Sequence, residues 1–231
     1  MKIKILIPVY NDWKSVSKLL DGINNLSVDP KFQISIIIVN DASNHDRQEE
    51  DKNLDNIFSI KILNMKVNQG HARCIAAGLK YIYEKEDFDY VIPMDGDGED
   101  RPEEIKEFTK QIEVSNTKPI VGSRVRRSES LLFQICYKIH KLITFTFTGQ
   151  SIKFGNFTCL PKSTVEKMIN EKATWNSFSG SLTKIEKDLL SMPSIRGTRY
   201  FGPSKMSFYN LIKHSLSIIS VFRKTFLIRS A

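Results

Sequence analysis

Two acids at the end of a short apolar stretch are the residues of this sequence best suited to chemistry. Asp95 and Asp97 stand one residue apart and follow an apolar run, 91–94, that predicts a buried strand. If the strand continues, both side chains point to the same side of it. Carboxylates in that position are hard oxygen ligands for Mg²⁺ or Mn²⁺, which also take substrate phosphates. A solvated acidic turn that begins a helix, with Glu103 and Glu104 in its first turn, explains the same residues without a metal.

Charge is distributed unevenly along the chain. The 231 residues carry a net charge of +8, but residues 1–120 hold 16 Lys and Arg against 21 Asp and Glu, whereas residues 121–231 hold 18 against 5. The second half is therefore suited to contact an anion such as a phosphate, a nucleic acid or a membrane surface. Nucleic acid is the weakest of these partners, because the sequence contains no recognised nucleic-acid-binding motif.

Cysteine usage and hydropathy indicate the compartment. Cys74, Cys136 and Cys159 are odd in number and widely spaced, so we expect neither a disulfide framework nor a zinc site, and a reducing environment. The first residues lead directly into a strand pattern rather than a signal peptide. Since no run of 18 or more apolar residues occurs, we expect a cytoplasmic protein without a membrane span of its own.

The first half of the chain alternates strands and helices. Apolar runs predict strands, and apolar residues three or four apart predict helices. Predicted strands cover 3–9, 34–39, 60–63, 91–94 and 120–124. One predicted helix begins near Trp13, a second ends near Lys85 and a third covers 102–114. This alternation predicts an α/β fold with a mostly parallel, Rossmann-like sheet flanked by helices. Asp41 and Asp95 then both fall at the carboxyl ends of strands, where such sheets bind ligands.

The second half has a less regular pattern. An apolar stretch at 129–148 fits one amphipathic helix, although its alternating Thr and Phe residues at 144–148 also fit a strand. Further helices are predicted at 163–170 and 179–190, followed by a basic loop at 199–205.

The last segment, 206–229, combines apolar residues at helical spacing with cations. The apolar residues are Phe208, Leu211, Ile212, Leu216, Ile219, Phe222 and Phe226, and the basic ones are Lys213, His214, Arg223, Lys224 and Arg229. Serines at 215, 217 and 220 make the segment too polar to span a bilayer. The pattern favours a helix lying in a membrane interface, and packing on the protein's own core explains it as well.

A series of motifs in this chain resembles the A-type, inverting, nucleotide-sugar-dependent glycosyltransferases of family 2. They are Ile-Pro-Val-Tyr-Asn-Asp at 7–12, Val-Asn-Asp-Ala-Ser at 39–43, Asn-Gln-Gly-His-Ala-Arg at 68–73 and Asp-Gly-Asp at 95–97. The acidic stretch at 94–103, Gly-Ser-Arg at 122–124 and the basic loop with Gly-Pro-Ser-Lys at 202–205 are similar to the polyprenyl-phosphate branch, whose members include dolichol-phosphate mannosyltransferases. Any one motif is weak, but together they span nearly the whole chain in the expected order.

The resemblance implies a donor site in the first half, which it delimits as 1–124. It implies that Pro8 and Tyr10 line the pocket of the nucleotide base and that Asp41 hydrogen-bonds the base. Arg73 matches an arginine that approaches the donor diphosphate. Asp95 and Asp97 match the pair that holds Mg²⁺ or Mn²⁺, and Glu99 is implied as a third metal ligand, where the branch usually has Gln.

The acceptor half, 125–205, departs from the family more often. The residues implied around the acceptor phosphate are Arg124, Arg199, Ser204 and Lys205. Relatives commonly carry an arginine where this chain has Gln134, so Lys138, Arg126 or Arg127 takes its place. The Ser-Gly-Phe-Arg box of the branch is replaced by Phe-Thr-Cys-Leu-Pro-Lys at 157–162.

These observations predict a glycosyltransferase domain at 1–205 and an amphipathic juxtamembrane segment at 206–231. We expect a sugar to move from a nucleoside diphosphate sugar to a polyprenyl phosphate, at the cytoplasmic face of a membrane. An anionic phosphate acceptor requires no general base, with Arg124, Arg199 and Lys205 positioning it. A glycan hydroxyl as acceptor, in cell-envelope polysaccharide synthesis, requires a carboxylate, for which Glu186 and Asp188 are the candidates. A non-catalytic membrane-binding module of the same fold is the third possibility.

Overall fold

The elements that the structure describes assemble into a seven-stranded sheet with helices on both faces. The computed structural model describes residues 1–45, 53–115, 117–126, 152–202, 216–217 and 220–222. The strands are β1 (Lys2–Val9), β2 (Gln33–Asn40), β3 (Ser59–Asn64), β4 (Tyr90–Pro93), β5 (Ile120–Arg126), β6 (Phe154–Pro161) and β7 (Leu190–Ile195). The helices are α1 (Trp13–Asn24), α2 (His71–Lys85), α3 (Ile105–Val114), α4 (Lys162–Asn170) and α5 (Phe178–Ile185), with 3₁₀ turns at Pro102–Glu104 and Lys172–Trp175.

The predicted parallel sheet of the first half is confirmed. The strand order is β3-β2-β1-β4-β6-β5-β7. The pairs β1–β2, β2–β3 and β1–β4 are all parallel. β1 and β2 are buried on both faces because each is a nearly continuous apolar run covered by helices on either side.

The second half differs from the sequence prediction in two strands. β6 was not predicted; it runs antiparallel between β4 and β5. The predicted helix at 179–190 is wrong beyond Ile185, because the chain turns there and residues 190–195 form β7 beside β5. Only alternate residues of β7 are buried, and its Pro193 is tolerated because β7 is an edge strand.

Two apolar layers sandwich the sheet. One layer packs α1 and α3 against it, and the other packs α2, α4 and α5 against the opposite face. α2 lies especially close to β1, since a Cβ on Gly78 would stand 2.3 Å from a methyl carbon of Leu6. This contact fixes the start of α2 near the carboxyl end of β1, which is the edge that carries the acids.

The segment at 206–229 is described only at 216–217 and 220–222. There, Val221 and Phe222 are buried against Ile152 and Ala173, while Leu216 is exposed. These contacts attach at least part of the segment to the protein; whether it also meets a membrane stays a prediction. Within the described ranges, the longest and most apolar helices still fall short of what crossing a bilayer requires.

Candidate active site

The acids of the central motif lie in a turn just after β4, which we call the acid turn (residues 95–100). They are not on the strand itself, because β4 ends at Pro93 and only Met94 continues the pairing, donating its N–H to Leu6 O at 2.9 Å. Two hydrogen bonds within the turn stabilise it: Asp95 N donates to Asp100 Oδ2 at 2.9 Å, and Glu99 N donates to Asp97 Oδ1 at 2.9 Å. The predicted shared strand face is therefore wrong, and a hydrogen-bonded turn brings these carboxylates together instead.

Asp95 presents an oxygen that is suited to a cation. Its Oδ1 is buried and has no hydrogen-bond partner among the described residues, although His71 Nε2 lies 3.2 Å away. The same imidazole nitrogen lies 2.7 Å from Asn156 Nδ2 of β6. An unpartnered buried carboxylate oxygen is costly unless a cation or hydrogen-bond donor meets it. Asp95 therefore fits a divalent ion as a ligand.

The carboxyl groups of the acid turn have pKa values displaced in opposite directions. Desolvation raises the pKa of Asp95, but the charges of His71, Arg196 and Arg124 outweigh it and hold that pKa well below its ordinary range. For Asp97, desolvation and the Asp95 charge raise the pKa to about 6, against the lowering effect of nearby arginines. Asp95 is thus ionised at any physiological pH, whereas Asp97 is close to titration.

The same environment acts on two neighbours of these acids. Desolvation and the negative charge of Asp95 raise the pKa of Asp100 well above its ordinary value. Desolvation lowers the pKa of His71, but the carboxylates of Asp95, Asp97 and Asp41 raise it more, so its net shift is upward. The acid turn therefore holds a concentrated negative charge that favours cations nearby.

A segment after β7 lies over the acid turn; we call it the arginine loop (residues 196–200). Gly197 N donates to Glu99 O at 2.8 Å and Tyr200 N donates to Asp97 O at 2.9 Å. The Tyr200 ring packs on Gly98, and this contact requires a glycine because a Cβ there would stand 2.7 Å from the ring. Gly98 also has a φ of 89°, a backbone conformation that favours glycine. The loop and the turn are therefore fitted closely to each other.

Both arginines of this loop pair with acids of the turn. Arg196 forms an ion pair with Glu99. Arg199 donates from Nη1 to Asp97 Oδ2 at 2.6 Å and from Nη2 to Asp12 Oδ2 at 2.8 Å. Arg199 thus lies at the predicted metal pair rather than in a separate acceptor region, and Glu99 can serve as a metal ligand only if its pair with Arg196 opens.

The residues expected at the nucleotide base lie on the neighbouring strand ends. Pro8 is buried in β1, opposite Val39 of β2, and Tyr10 is exposed just beyond it. Asp41 is 4% exposed, and its two carboxylate oxygens accept hydrogen bonds from Gln69 N at 2.7 Å and Gly70 N at 2.8 Å. In this state Asp41 orders the loop before α2, a contact that the sequence did not reveal.

The structure describes some of the remaining residues predicted to bind phosphate but not others. Arg73 donates to Gln69 Oε1 at 2.5 Å. Arg124 extends from β5 toward Gly155 of β6, with its charge lowering the pKa values of Asp95 and Asp100. Lys138, Ser204 and Lys205 lie outside the described residues, as do Arg127, Gln134 and the side chain of Arg126.

The two candidate general bases are bound elsewhere. Glu186 accepts hydrogen bonds from Thr164 and Lys167 of α4, both at 2.9 Å. Asp188 pairs with Lys118 at 2.5 Å, before the start of β5, whereas Arg124 and the acid turn lie near the other end of that strand. The structure therefore gives neither acid a place at the site.

Sequence reasoning missed several functional candidates. Asp12 and His71 stood inside the recognised motifs without a role in the site; the available signal was that Asp12 follows the end of β1 and that His71 begins α2. Arg196 and Asn156 carried no local signal, because their partners are far away in sequence.

The side chains described at the acid turn would supply only part of the coordination shell of a metal ion. Among the residues that the structure describes, no group of three or more His, Cys, Asp or Glu side chains converges as a metal site would require. Asp95 and Asp97 alone fit the pattern of Mg²⁺ and Mn²⁺, which are bound through one or two carboxylates together with substrate phosphates.

Comparison with known proteins agrees with this architecture. The family described as "Glycosyl transferase family 2" matches residues 4–175. The chain is 27% identical over 226 residues to undecaprenyl-phosphate 4-deoxy-4-formamido-L-arabinose transferase of Proteus mirabilis, covering 91% of this chain and 64% of that protein. It is 25% identical over 240 residues to the protein of the same name from Klebsiella pneumoniae, covering 97% and 68%. The chain thus spans about two thirds of the length of these relatives.

A solved structure shares the fold. Glucosyl-3-phosphoglycerate synthase from Mycobacterium tuberculosis, crystallised with Mn²⁺, UDP-glucose and phosphoglyceric acid, superimposes with a TM-score of 0.68 at 11% identity, covering 97% of this chain and 79% of that one. The predicted A-type glycosyltransferase fold is thereby confirmed.

Proposed function

This chain belongs to glycosyl transferase family 2, and we propose that it is a metal-dependent, inverting enzyme that moves a sugar from a nucleoside diphosphate sugar to a polyprenyl phosphate. The observation that carries the proposal is the acid turn, where Asp95 Oδ1 has no hydrogen-bond partner among the described residues and lies 3.2 Å from His71 Nε2, and where Asp97 pairs with Arg199 of the arginine loop. The names of the relatives, which include undecaprenyl-phosphate transferases, support the acceptor.

The donor diphosphate needs its charge neutralised before it can leave. Bound Mg²⁺ or Mn²⁺, held by Asp95 and Asp97, would supply that charge. Arg199 lies at the same carboxylate and is placed to exchange its contact with Asp97 for one with a phosphate. Arg73 and His71 begin α2, whose amino terminus also favours an anion.

The partners and the ionisation of the carboxylates support a phosphate acceptor over a hydroxyl acceptor. Asp12, Asp97 and Glu99 pair with arginines, and Asp41 accepts two backbone N–H groups. Asp95 has a pKa too low for a general base. An acceptor that is already anionic requires no such base, and attack opposite the leaving diphosphate inverts the anomeric carbon. A glycan hydroxyl acceptor remains the alternative that the same site would serve with a base from another segment.

A transfer assay tests the proposal. Undecaprenyl phosphate is incubated with labelled nucleoside diphosphate sugars and Mn²⁺, and Asp97→Asn is compared with Asp87→Asn, which alters an exposed acid paired with Lys2. We expect labelled lipid with the parent protein and with Asp87→Asn, and a loss of roughly 100-fold or more in Asp97→Asn. Label on an oligosaccharide but not on the lipid would favour the hydroxyl acceptor, and no transfer from any donor would favour the non-catalytic module.

We also propose that the enzyme works at the cytoplasmic face of a membrane. A polyprenyl phosphate presents its phosphate at headgroup level, and the basic second half of the chain is suited to that surface.

A further inference from the structure

We infer that Glu104 is a positioning residue that holds the arginine loop over the acid turn. The inference rests on the proposed function in assigning a use to the loop, but the contact itself is a feature of the fold. Glu104 ends the 3₁₀ turn after the acid turn and is only 8% exposed.

Glu104 uses both of its carboxylate oxygens on the end of one strand. Ser194 Oγ donates to Oε2 at 2.7 Å and Ile195 N donates to Oε1 at 2.7 Å. These are the last two residues of β7, and Arg196 follows immediately. A buried carboxylate with both oxygens satisfied on adjacent residues fixes the position and the direction of the chain leaving the strand.

The strand end needs such a fixed point. Among the described strands, β7 lies at the edge of the sheet and pairs with β5 alone, and the register between them shifts between Arg124 and Arg126, near the end of the pairing. An edge strand has one unpaired side, so its end is held less firmly than that of an inner strand. Glu104 supplies two further hydrogen bonds to this strand end from the neighbouring turn.

The contact of Glu104 with the end of β7 affects the arginine loop directly, because only a few residues separate them. Between Ile195 and Tyr200 the loop makes two backbone hydrogen bonds to the acid turn, through Gly197 and Tyr200, and both of its arginines pair with acids there. Glu104 follows the acid turn by only four residues. It therefore ties the end of the acid turn and the start of the arginine loop into one unit, which sets where Arg199 lies relative to Asp97.

Amide hydrogen exchange on the full chain without ligand tests the contact. In Glu104→Ala we expect exchange at Gly197 and Tyr200 to accelerate roughly tenfold or more, as loss of charge-assisted hydrogen bonds implies, with the amides of β1 unchanged. Glu104→Gln keeps an acceptor for Ile195 and a polar partner for Ser194, so it should largely restore protection. Glu107→Ala, an exposed acid one helical turn later, is the matched control and should change nothing.

Nucleotide binding gives the second readout. The affinity for UDP or GDP with Mn²⁺ should fall several-fold in Glu104→Ala and recover in Glu104→Gln. If Glu104→Ala does not fold, Ser194→Ala removes one of the two bonds and should show the same selective change at smaller amplitude. Unchanged loop exchange, or an equal rise across β1 and the loop, would overturn the inference. If the parent protein transfers no sugar, the proposed function is contradicted. The hydrogen-exchange result would still test the Glu104 contact, because it does not depend on sugar transfer.

Discussion

Arg199 and Asp97 form an ion pair across 102 residues of sequence, with Nη1 donating to Oδ2 at 2.6 Å. The second guanidinium nitrogen reaches Asp12 at the start of α1, and Nε is buried without a hydrogen-bond partner among the described residues. One side chain thus joins the loop after β1 to the acid turn. It places a fixed cation at the carboxylate that is proposed to bind a metal.

A competition between Arg199 and the metal follows from this contact. In Arg199→Ala, measured at pH 8 without nucleotide, Asp97 loses its cation, so we expect Mn²⁺ to bind several-fold more tightly while sugar transfer falls. Arg199→Lys keeps the charge but not the two guanidinium donors, so its Mn²⁺ affinity should lie between those of the parent protein and Arg199→Ala. Free Mn²⁺ is measured by electron paramagnetic resonance, with Lys80→Ala as the exposed control. Weaker Mn²⁺ binding in Arg199→Ala would contradict the competition.

Metal affinity should depend on pH through Asp97. Its pKa is raised to about 6, and a carboxylate binds metal only when deprotonated. Mn²⁺-dependent binding of UDP or GDP should therefore be nearly constant above pH 7 and fall by up to about tenfold per unit below pH 6. Asp95 adds no step in this range because its pKa is held well below it. Calorimetry between pH 5 and 8 measures the dependence, and a flat profile would argue against Asp97 as a ligand.

Asp41 should contribute to stability as well as to donor binding. Its carboxylate accepts from two backbone amides before α2, and each such charged bond contributes about 1.5–3 kcal/mol. Since Asp41→Ala removes both bonds, we expect it to lower the free energy of unfolding by roughly 3–6 kcal/mol and to weaken UDP or GDP binding. Asp29→Ala removes a similar contact, to Lys31 N, at an exposed turn and should cost less. Weaker nucleotide binding with unchanged stability would mean that Asp41 acts on the base alone.

The sequence predicted the first half of the fold because the inner strands there are nearly continuous apolar runs. β1 and β2 are buried on both faces, so their residues carry a strong local signal. β7 carries little signal, because one of its faces is exposed and it contains Pro193. The motifs located the acid turn correctly, since glycines and acids cluster locally. The pairings of Arg199 with Asp97 and of Arg196 with Glu99 join residues about 100 positions apart, and no local pattern encodes them.

The buried pair of Lys4 and Glu86 is a second feature that no local pattern revealed. Lys4 Nζ donates to Glu86 Oε2 at 3.0 Å, and the two side chains are 8% and 6% exposed. Glu86→Gln should destabilise the protein by about 3 kcal/mol, because it leaves the Lys4 charge buried without its counterion. Lys61→Ala removes only the exposed partner of Glu86 and should cost less. Urea denaturation measures both, and equal losses would contradict this account.

The same pair gives stability a pH dependence. Desolvation raises the pKa of Glu86, but hydrogen bonds from Lys61 and Lys4 outweigh it and lower the pKa below its ordinary value. Its contribution is therefore present above the unfolded-state pKa and lost as the pH falls through the folded one. Glu86→Gln should remove that part of the acid sensitivity.

The last prediction concerns the basic segment at 206–229. We expect its positive charges to bind the protein to anionic membranes. Arg223→Glu combined with Lys224→Glu should reduce co-sedimentation with phosphatidylglycerol vesicles by roughly tenfold or more, since each cation near such a surface contributes about 1 kcal/mol. Binding of the parent protein should weaken with added salt. Lys106→Glu combined with Lys110→Glu makes the same charge change on α3 and should bind normally. Phe222 is buried against the protein, so Phe222→Ala should lower stability while vesicle binding of the folded fraction persists. If the parent protein fails to bind at low salt, the segment packs only on the protein's own core.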